Sequence, residues 1–304
     1  MIKFNYIFTL LLFSLYTGQI AIAAQEVTNK DSDFIASVKT GKTEQVKAML
    51  DKGADPNETD ADGSPAIFFA ILEKNTAITD LLIDSKADIN KPNARGWTAV
   101  MLAAQSGQIK LVKTLIDKGA NVNIKTRAKW TALALAAQNN HVDVVNTLID
   151  AGAKIRVYTA DGFSPLMVAA NRGNTEAVNT LIKHGANVNE KDADRGTTAL
   201  SLAVASGQLE TTKALLDAGA RVNMIDNFGQ TPLMWAAWIG DAGITNMLIA
   251  KGADINMKNA EGRTAVSFAK RGGHSEIIDI LTSAGGKMGD APKPVQSVPH
   301  KSNP

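Results

Sequence analysis

The sequence predicts an all-α repeat solenoid, a stack of helix-turn-helix units joined by β-hairpin loops, and three observations predict it. Gly63, Gly96, Gly162, Gly196, Gly229 and Gly262 open similar segments at spacings of 33, 66, 34, 33 and 33 residues, with Lys129 at the vacant step. A second series (Gly53, Lys86, Gly119, Gly152, Gly185, Gly219, Gly252, Gly285) and a third (Asn57, Asn90, Asn123, Asn189, Asn223, Asn256, with Arg156 as the exception) keep the same period. Self-similarity at a period of roughly 20–50 residues marks architectures in which each unit buries its apolar face only against a neighbouring copy. The composition agrees: 304 residues, 45% hydrophobic and 20% charged, with no cysteine, describe a folded chain held together by packing rather than disulfides.

The unit from Gly162 to Asn189 shows how each element arises. Ser164 and Pro165 start a helix, since a hydroxyl satisfies an orphan amide and proline has no amide to lose. Leu166, Val168, Ala169 and Ala170 follow, small enough for adjacent helices to approach closely, and Gly173 ends the element. Ala177, Val178, Leu181 and Ile182 then repeat at helical spacing, giving a second helix with one apolar stripe, which Gly185 terminates. Residues 31–286 hold about eight such units, the first without a hairpin and so a cap. One inserted residue near Ala193 to Arg195 lengthens a single hairpin. The outer position of the second helix is Leu50, Ile83, Ile116, Ile149, Ile182, Leu216 and Ile249 but Thr282 in the last unit, as a wettable end of the stack requires.

The flanks read differently. Residues 1–23 combine one charge, Lys3, an apolar run from Ile7 to Tyr16 and small residues at Ala21 and Ala23, the pattern of a cleavable signal peptide cut after Ala23 or Ala24. The run is too short for the roughly 20 residues of a membrane span, so the expectation is export to a periplasm or beyond without membrane insertion. Residues 24–30 read as a short linker. From 287 to 304 the chain carries Pro292, Pro294, Pro299 and Pro304 without apolar periodicity and is expected to be a disordered tail.

Gly-Gln-Thr-Pro-Leu at Gly229 to Leu233, Gly-Phe-Ser-Pro-Leu at Gly162 to Leu166, and Gly-Ala-Asn-Val-Asn at Gly119 to Asn123 and Gly185 to Asn189 make the unit resemble the ankyrin repeat, over about residues 31 to 286. The chain is thus similar to exported, bacterial-type ankyrin repeat proteins. It departs from the family pattern after the Thr-Pro-Leu start, where His is frequent and this chain has Phe68, Met101, Ala134, Met167, Ser201, Met234 and Ser267.

Catalytic chemistry finds little support. Thr40 to Thr43 reads like the end of a phosphate-binding loop, but Ala36 stands where that motif needs glycine, and Gly41 is in phase with Gly107, Gly173, Gly207, Gly240 and Gly273. His141, His184, His274 and His300 lack the spacing of metal ligands, and Asp51, Asp84, Asp117, Asp150 and Asp217 recur at one repeat phase as scaffold residues do. No enzyme activity, cofactor or metal is expected. Lys plus Arg is 32 and Asp plus Glu is 30, a net charge of +2, so no nucleic acid partner is expected either.

The resemblance implies that a partner protein binds at the hairpin tips and the ends of the first helices, on a concave face. Those phases hold Arg95, Trp97, Lys125, Arg127, Trp130, Tyr158, Phe163 and Arg172, then Arg195, Ile225, Phe228, Trp238, Ile239, Arg263 and Arg271. Three of the four tryptophans and six of the eight arginines lie there, and Trp, Tyr and Arg dominate binding hot spots. The expected function is a monomeric, non-catalytic scaffold that binds a partner protein outside the cytoplasm, to inhibit, protect or chaperone an exported enzyme. The alternatives are a secreted effector acting on host proteins, and a hydrolase or toxin built on the repeats.

Overall fold

A computed structural model describes residues 31–289 of the chain. The signal peptide and linker expected over 1–30, and the tail from 290 to 304, lie outside the described residues. Residues 287–289, assigned from sequence to the tail, continue the last repeat: Lys287 N–H donates to Asn256 Oδ1 (2.9 Å) and Gly289 N–H to Ser267 Oγ (3.0 Å).

The chain divides into two compact units, Met1–Asn187 and Val188–Pro304. The described part of the first holds five helix pairs: α1 (Asp33–Lys39) and α2 (Thr43–Asp51), α3 (Ala66–Leu72) and α4 (Thr76–Asp84), α5 (Ala99–Gln105) and α6 (Ile109–Asp117), α7 (Ala132–Gln138) and α8 (Val142–Asp150), α9 (Pro165–Arg172) and α10 (Thr175–Lys183). The described part of the second holds three: α11 (Ala199–Ala205) and α12 (Leu209–Asp217), α13 (Pro232–Ile239) and α14 (Ala242–Ala250), α15 (Ala265–Gly272) and α16 (Ser275–Ser283). In each unit the first helices pack in a row, α1 to α9 and α11 to α15, and second helices pack on second helices, as α8 does on α10 and α14 on α16.

The two rows are built from different residues for a physical reason. A first helix is enclosed by its neighbours, so all seven residues of α7 are buried and four of them are alanine, which lets the backbones approach. A second helix has one side in water and buries a stripe, Val144, Val145 and Leu148 in α8. Thr198 and Ser164 cap their helices by accepting from Ser201 N–H (3.1 Å) and Met167 N–H (3.3 Å). Where the family has His after the helix start, Met101, Met167 and Met234 fill the space by packing, each 1% exposed. Ser267 keeps a polar role there, its Oγ accepting from Thr264 N–H (3.3 Å) and completing a reciprocal cap.

Side chains at fixed phases sew one repeat to the next. Asn90, Asn123, Asn223 and Asn256 accept at Oδ1 from the backbone N–H 31 residues on (Asn121, Lys154, Asp254 and Lys287), while their Nδ2 donate to the carbonyls of Gly119, Gly152, Gly252 and Gly285. Arg156 stands at this phase with a guanidinium, which donates but cannot accept from the backbone N–H of the next repeat. The histidines join the same kind of framework: His141 Nε2 bonds Gln105 O (3.0 Å), His274 Nε2 bonds Trp238 O (2.9 Å) and His184 Nε2 bonds Asn146 Oδ1 (2.9 Å). At the C-terminal end Thr282 is exposed and returns its hydroxyl to Ile278 O (2.7 Å), as the sequence leads one to expect of the last unit.

Candidate protein-interaction surface

The hairpins between repeats are turns rather than strands. Among the described residues only Thr59 with Pro65 and Lys191 with Thr198 form isolated antiparallel bridges. In six of the seven described turns the base residue's N–H donates across four residues, Asp60 to Ser64 O (3.0 Å), Asn93 to Trp97 O (2.9 Å), Thr126 to Trp130 O (2.9 Å), Thr159 to Phe163 O (3.0 Å), Asp226 to Gln230 O (3.0 Å) and Asn259 to Arg263 O (2.9 Å), while its carbonyl accepts from the left-handed residue three positions on. The inserted residue makes the remaining one longer, Asp192 N–H to Thr197 O (2.9 Å). The base residue also accepts through its side chain: Trp97 N–H donates to Asn93 Oδ1 (3.0 Å), Trp130 N–H to Thr126 Oγ1 (3.0 Å) and Gln230 N–H to Asp226 Oδ1 (2.9 Å). Asn, Thr and Asp therefore do one job, holding the far arm of the turn. Sequence reasoning missed this set; the signal was an uninterrupted phase of short acceptor side chains.

Burial costs the ionised form its hydration, and it pushes the Asp226 carboxyl above the ordinary carboxylate range, although the N–H groups of Gln230 and Phe228 oppose the shift. Elsewhere Lys251 Nζ lies 2.7 Å from Asp217 Oδ1, and its hydrogen bond and charge hold that carboxyl below its usual range.

This frame gives the two arms of each turn opposite fates. The residue after the left-handed position faces the core: Trp130 is 7% exposed and Phe163 3%. Both are placed by the sequence reading on the binding surface, and the structure places both inside, because the base residue ties their backbone toward the helices. Trp97, in the same phase, is half-buried. From the second hairpin on, the residues on either side of the base residue face outward, and so does the one before the left-handed position at Arg95 and Phe228. Arg95 and Arg127 are exposed, as are Tyr158, Ile225 and Phe228, and these three are among the few large apolar residues with more than a third of their surface in water.

At the ends of the first helices Arg172, Trp238 and Ile239 are half-buried. Arg172 is partly enclosed, and that burial lowers its pKa from the usual guanidinium value, though an arginine stays cationic at any ordinary pH. Trp238 lies edge-on to Phe268 (centroids 6.4 Å apart, planes at 81°), so part of its ring is committed to packing, with Ile239 half-buried beside it in sequence. Arg263 is ion-paired with Glu261, Arg195 is half-buried and Arg271 is exposed.

Within each unit neighbouring turns are joined directly. Arg127 N–H donates to Arg95 O (2.9 Å) and Ala160 N–H to Ala128 O (2.9 Å); in the second unit Asn227 N–H donates to Arg195 O (2.8 Å) and Ala260 N–H to Phe228 O (3.1 Å). The outward side chains of successive turns therefore sit side by side on a bonded edge. Among the described residues no group of three or more His, Asp or Glu is arranged to hold a metal ion, and no helix is long and apolar enough to cross a membrane.

A family model described as ankyrin repeats matches the chain in three copies, over residues 34–126, 125–192 and 190–259. No curated protein matches it.

Proposed function

The chain belongs to the ankyrin-repeat family, whose members are generally non-catalytic protein-binding scaffolds, and from that premise we propose that it binds a partner protein outside the cytoplasm, restraining, shielding or chaperoning an exported enzyme, without catalysis of its own. The observation that carries this reading is the contrast between phases. The turn base keeps to short acceptors, Asp, Asn or Thr, in every repeat, while the outward turn positions include Arg, Lys, Tyr, Ile, Phe, Pro, Ala and Asp. A scaffold needs only solubility at such positions, and Tyr158, Ile225 and Phe228 lie 37%, 39% and 45% exposed there, where a partner would cover them. Export rests on the signal-peptide pattern of residues 1–23.

The test is affinity capture from the envelope fraction with wild type and with a Tyr158→Ala, Ile225→Ala, Phe228→Ala variant whose thermal melt is unchanged. A protein retained by the wild type and lost by the variant is the expected result; equal retention refutes the turn surface. Mass spectrometry of the fractionated protein checks export: a mature N-terminus after Ala23 or Ala24 supports it, and an intact Met1 form confined to the cytoplasm refutes it.

A further inference from the structure

We propose that three successive turns of the first unit, within residues 88–98, 121–131 and 154–164, form a docking strip for a carboxylate-rich segment of a protein. The proposal rests on the protein-binding reading above and gives its partner a chemistry.

Charge is distributed unevenly along the hairpins. The turn at 58–65 carries Glu58, Asp60 and Asp62 and no cation. Over a common span of the three repeats that follow, residues 88–98 carry Lys91 and Arg95, 121–131 carry Lys125, Arg127 and Lys129, and 154–164 carry Lys154 and Arg156, all exposed but the half-buried Lys91, with Asp88 and Asp161 the carboxylates among them. In a chain whose cations and acids nearly balance at 32 and 30, this is a local concentration. The bonds from Arg127 N–H to Arg95 O and from Ala160 N–H to Ala128 O put each turn in direct contact with the next, so the cations of neighbouring turns share one edge. Their fields add, which attracts an anionic segment and raises its association rate.

Lys129 supplies an independent observation. Its φ is 60°, the left-handed region, at the position where the other hairpins have Gly63, Gly96, Gly162, Gly196, Gly229 and Gly262. A side chain there is strained where glycine is not, and its ammonium is exposed rather than ion-paired with any described carboxylate. Lys74 and Lys86 share the conformation at other phases, but only Lys129 does so at a turn tip. The strain puts a third cation on the middle turn.

The strip favours an acidic protein segment over a nucleic acid for two reasons. Of the rings in the strip Trp130 and Phe163 are buried and Trp97 is half-buried, so Tyr158 alone stands exposed beside the cations. Lys39 pairs with Asp60 (3.5 Å) in the preceding turn, leaving Glu58 and Asp62 to bound one end, which suits a short segment over a continuous phosphate chain.

The experiment uses the mature protein and a labelled oligo-glutamate of about 12 residues, read by fluorescence anisotropy against salt, with an oligothymidylate of equal charge alongside. Binding of oligo-glutamate that weakens at least about tenfold in Lys125→Glu, Arg127→Glu, Lys129→Glu, and less than about twofold in Lys47→Glu, Lys110→Glu, Lys113→Glu on the second helices, is the expected result. Lys129→Gly separates the strained lysine from general charge: it binds about two- to threefold more weakly yet melts at a higher temperature. Equal loss in both triple variants, tighter binding of oligothymidylate through the same residues, or a Lys129→Gly protein that binds as wild type each overturns the proposal. The Tyr158, Ile225 and Phe228 capture variant alters none of these cations, so the two readings fail separately.

Discussion

The turns at 126–130 and 226–230 share one backbone and show opposite surfaces. Both are closed by a bond across four residues, and in both a short buried side chain holds the far arm. The first hides an aromatic, Trp130, and displays Lys125, Arg127 and Lys129; the second leaves Gln230 at the inward phase and displays Ile225 and Phe228. The difference teaches that exposure in a repeat array belongs to the phase and not to the residue type. Trp130, after the left-handed position of its turn, is core, and Phe228, before that of its own, is surface.

The most direct way to break this comparison is to truncate the two aromatics in parallel. Trp130→Ala is expected to cost about 3–5 kcal/mol, as buried aromatics do, while Phe228→Ala is expected to cost less than about 1 kcal/mol. Urea unfolding with matched m-values reads both, and similar losses would dissolve the inward–outward distinction.

A second cut goes to the framework that keeps the turns in register. Asn123→Ala removes the acceptor for Lys154 N–H (2.9 Å) and the donor to Gly152 O (3.0 Å), and is expected to cost about 1–2 kcal/mol. Arg156→Asn runs the other way: it supplies the missing acceptor at the one exceptional phase and is expected to add up to about 1 kcal/mol. A destabilised Arg156→Asn protein would mean that the guanidinium has contacts worth more than the ladder.

Smaller again is Lys86→Gly, at φ 63° where the neighbouring repeats use glycine. Relief of the left-handed strain, less the freedom glycine adds to the unfolded chain, is expected to leave a gain of about 0.5–1 kcal/mol in the same titration.

The smallest effect concerns pH. Burial raises the Asp226 carboxyl, so between its unfolded and folded pKa values the folded state binds more protons than the unfolded one. Stability therefore falls as pH rises through that window, just above the usual carboxylate range, and stays lower at neutral pH. Asn259 holds the next turn with an amide that has no such titration. Asp226→Asn is expected to remove this slope and to raise stability at pH 7 by no more than about 0.5 kcal/mol, since the N–H groups of Gln230 and Phe228 already offset part of the burial. Melts from pH 4 to 8 on both proteins check it; a steeper slope in the variant would reverse the sign argument.

Much of the fold was legible because a repeat states its rules many times over. The glycine and asparagine series predict where each unit turns and closes, and the structure places sixteen helices in eight pairs there among the described residues. The candidate surface was legible only as a set of phases. Trp97, Trp130 and Phe163 were grouped with Tyr158 and Phe228 because all are aromatic and all flank a turn, although three aromatics at one phase in consecutive units is itself a core pattern.

By itself the sequence determined the period, the number of units, the helix starts and stops, and the polar end at Thr282, since each depends on local chemistry: caps, left-handed positions and apolar spacing. Only the tertiary structure decided which arm of each turn faces water and which cations stand together. Those depend on bonds between residues about 30 positions apart, Arg127 to Arg95 and Ala160 to Ala128, which exist only once neighbouring repeats have stacked.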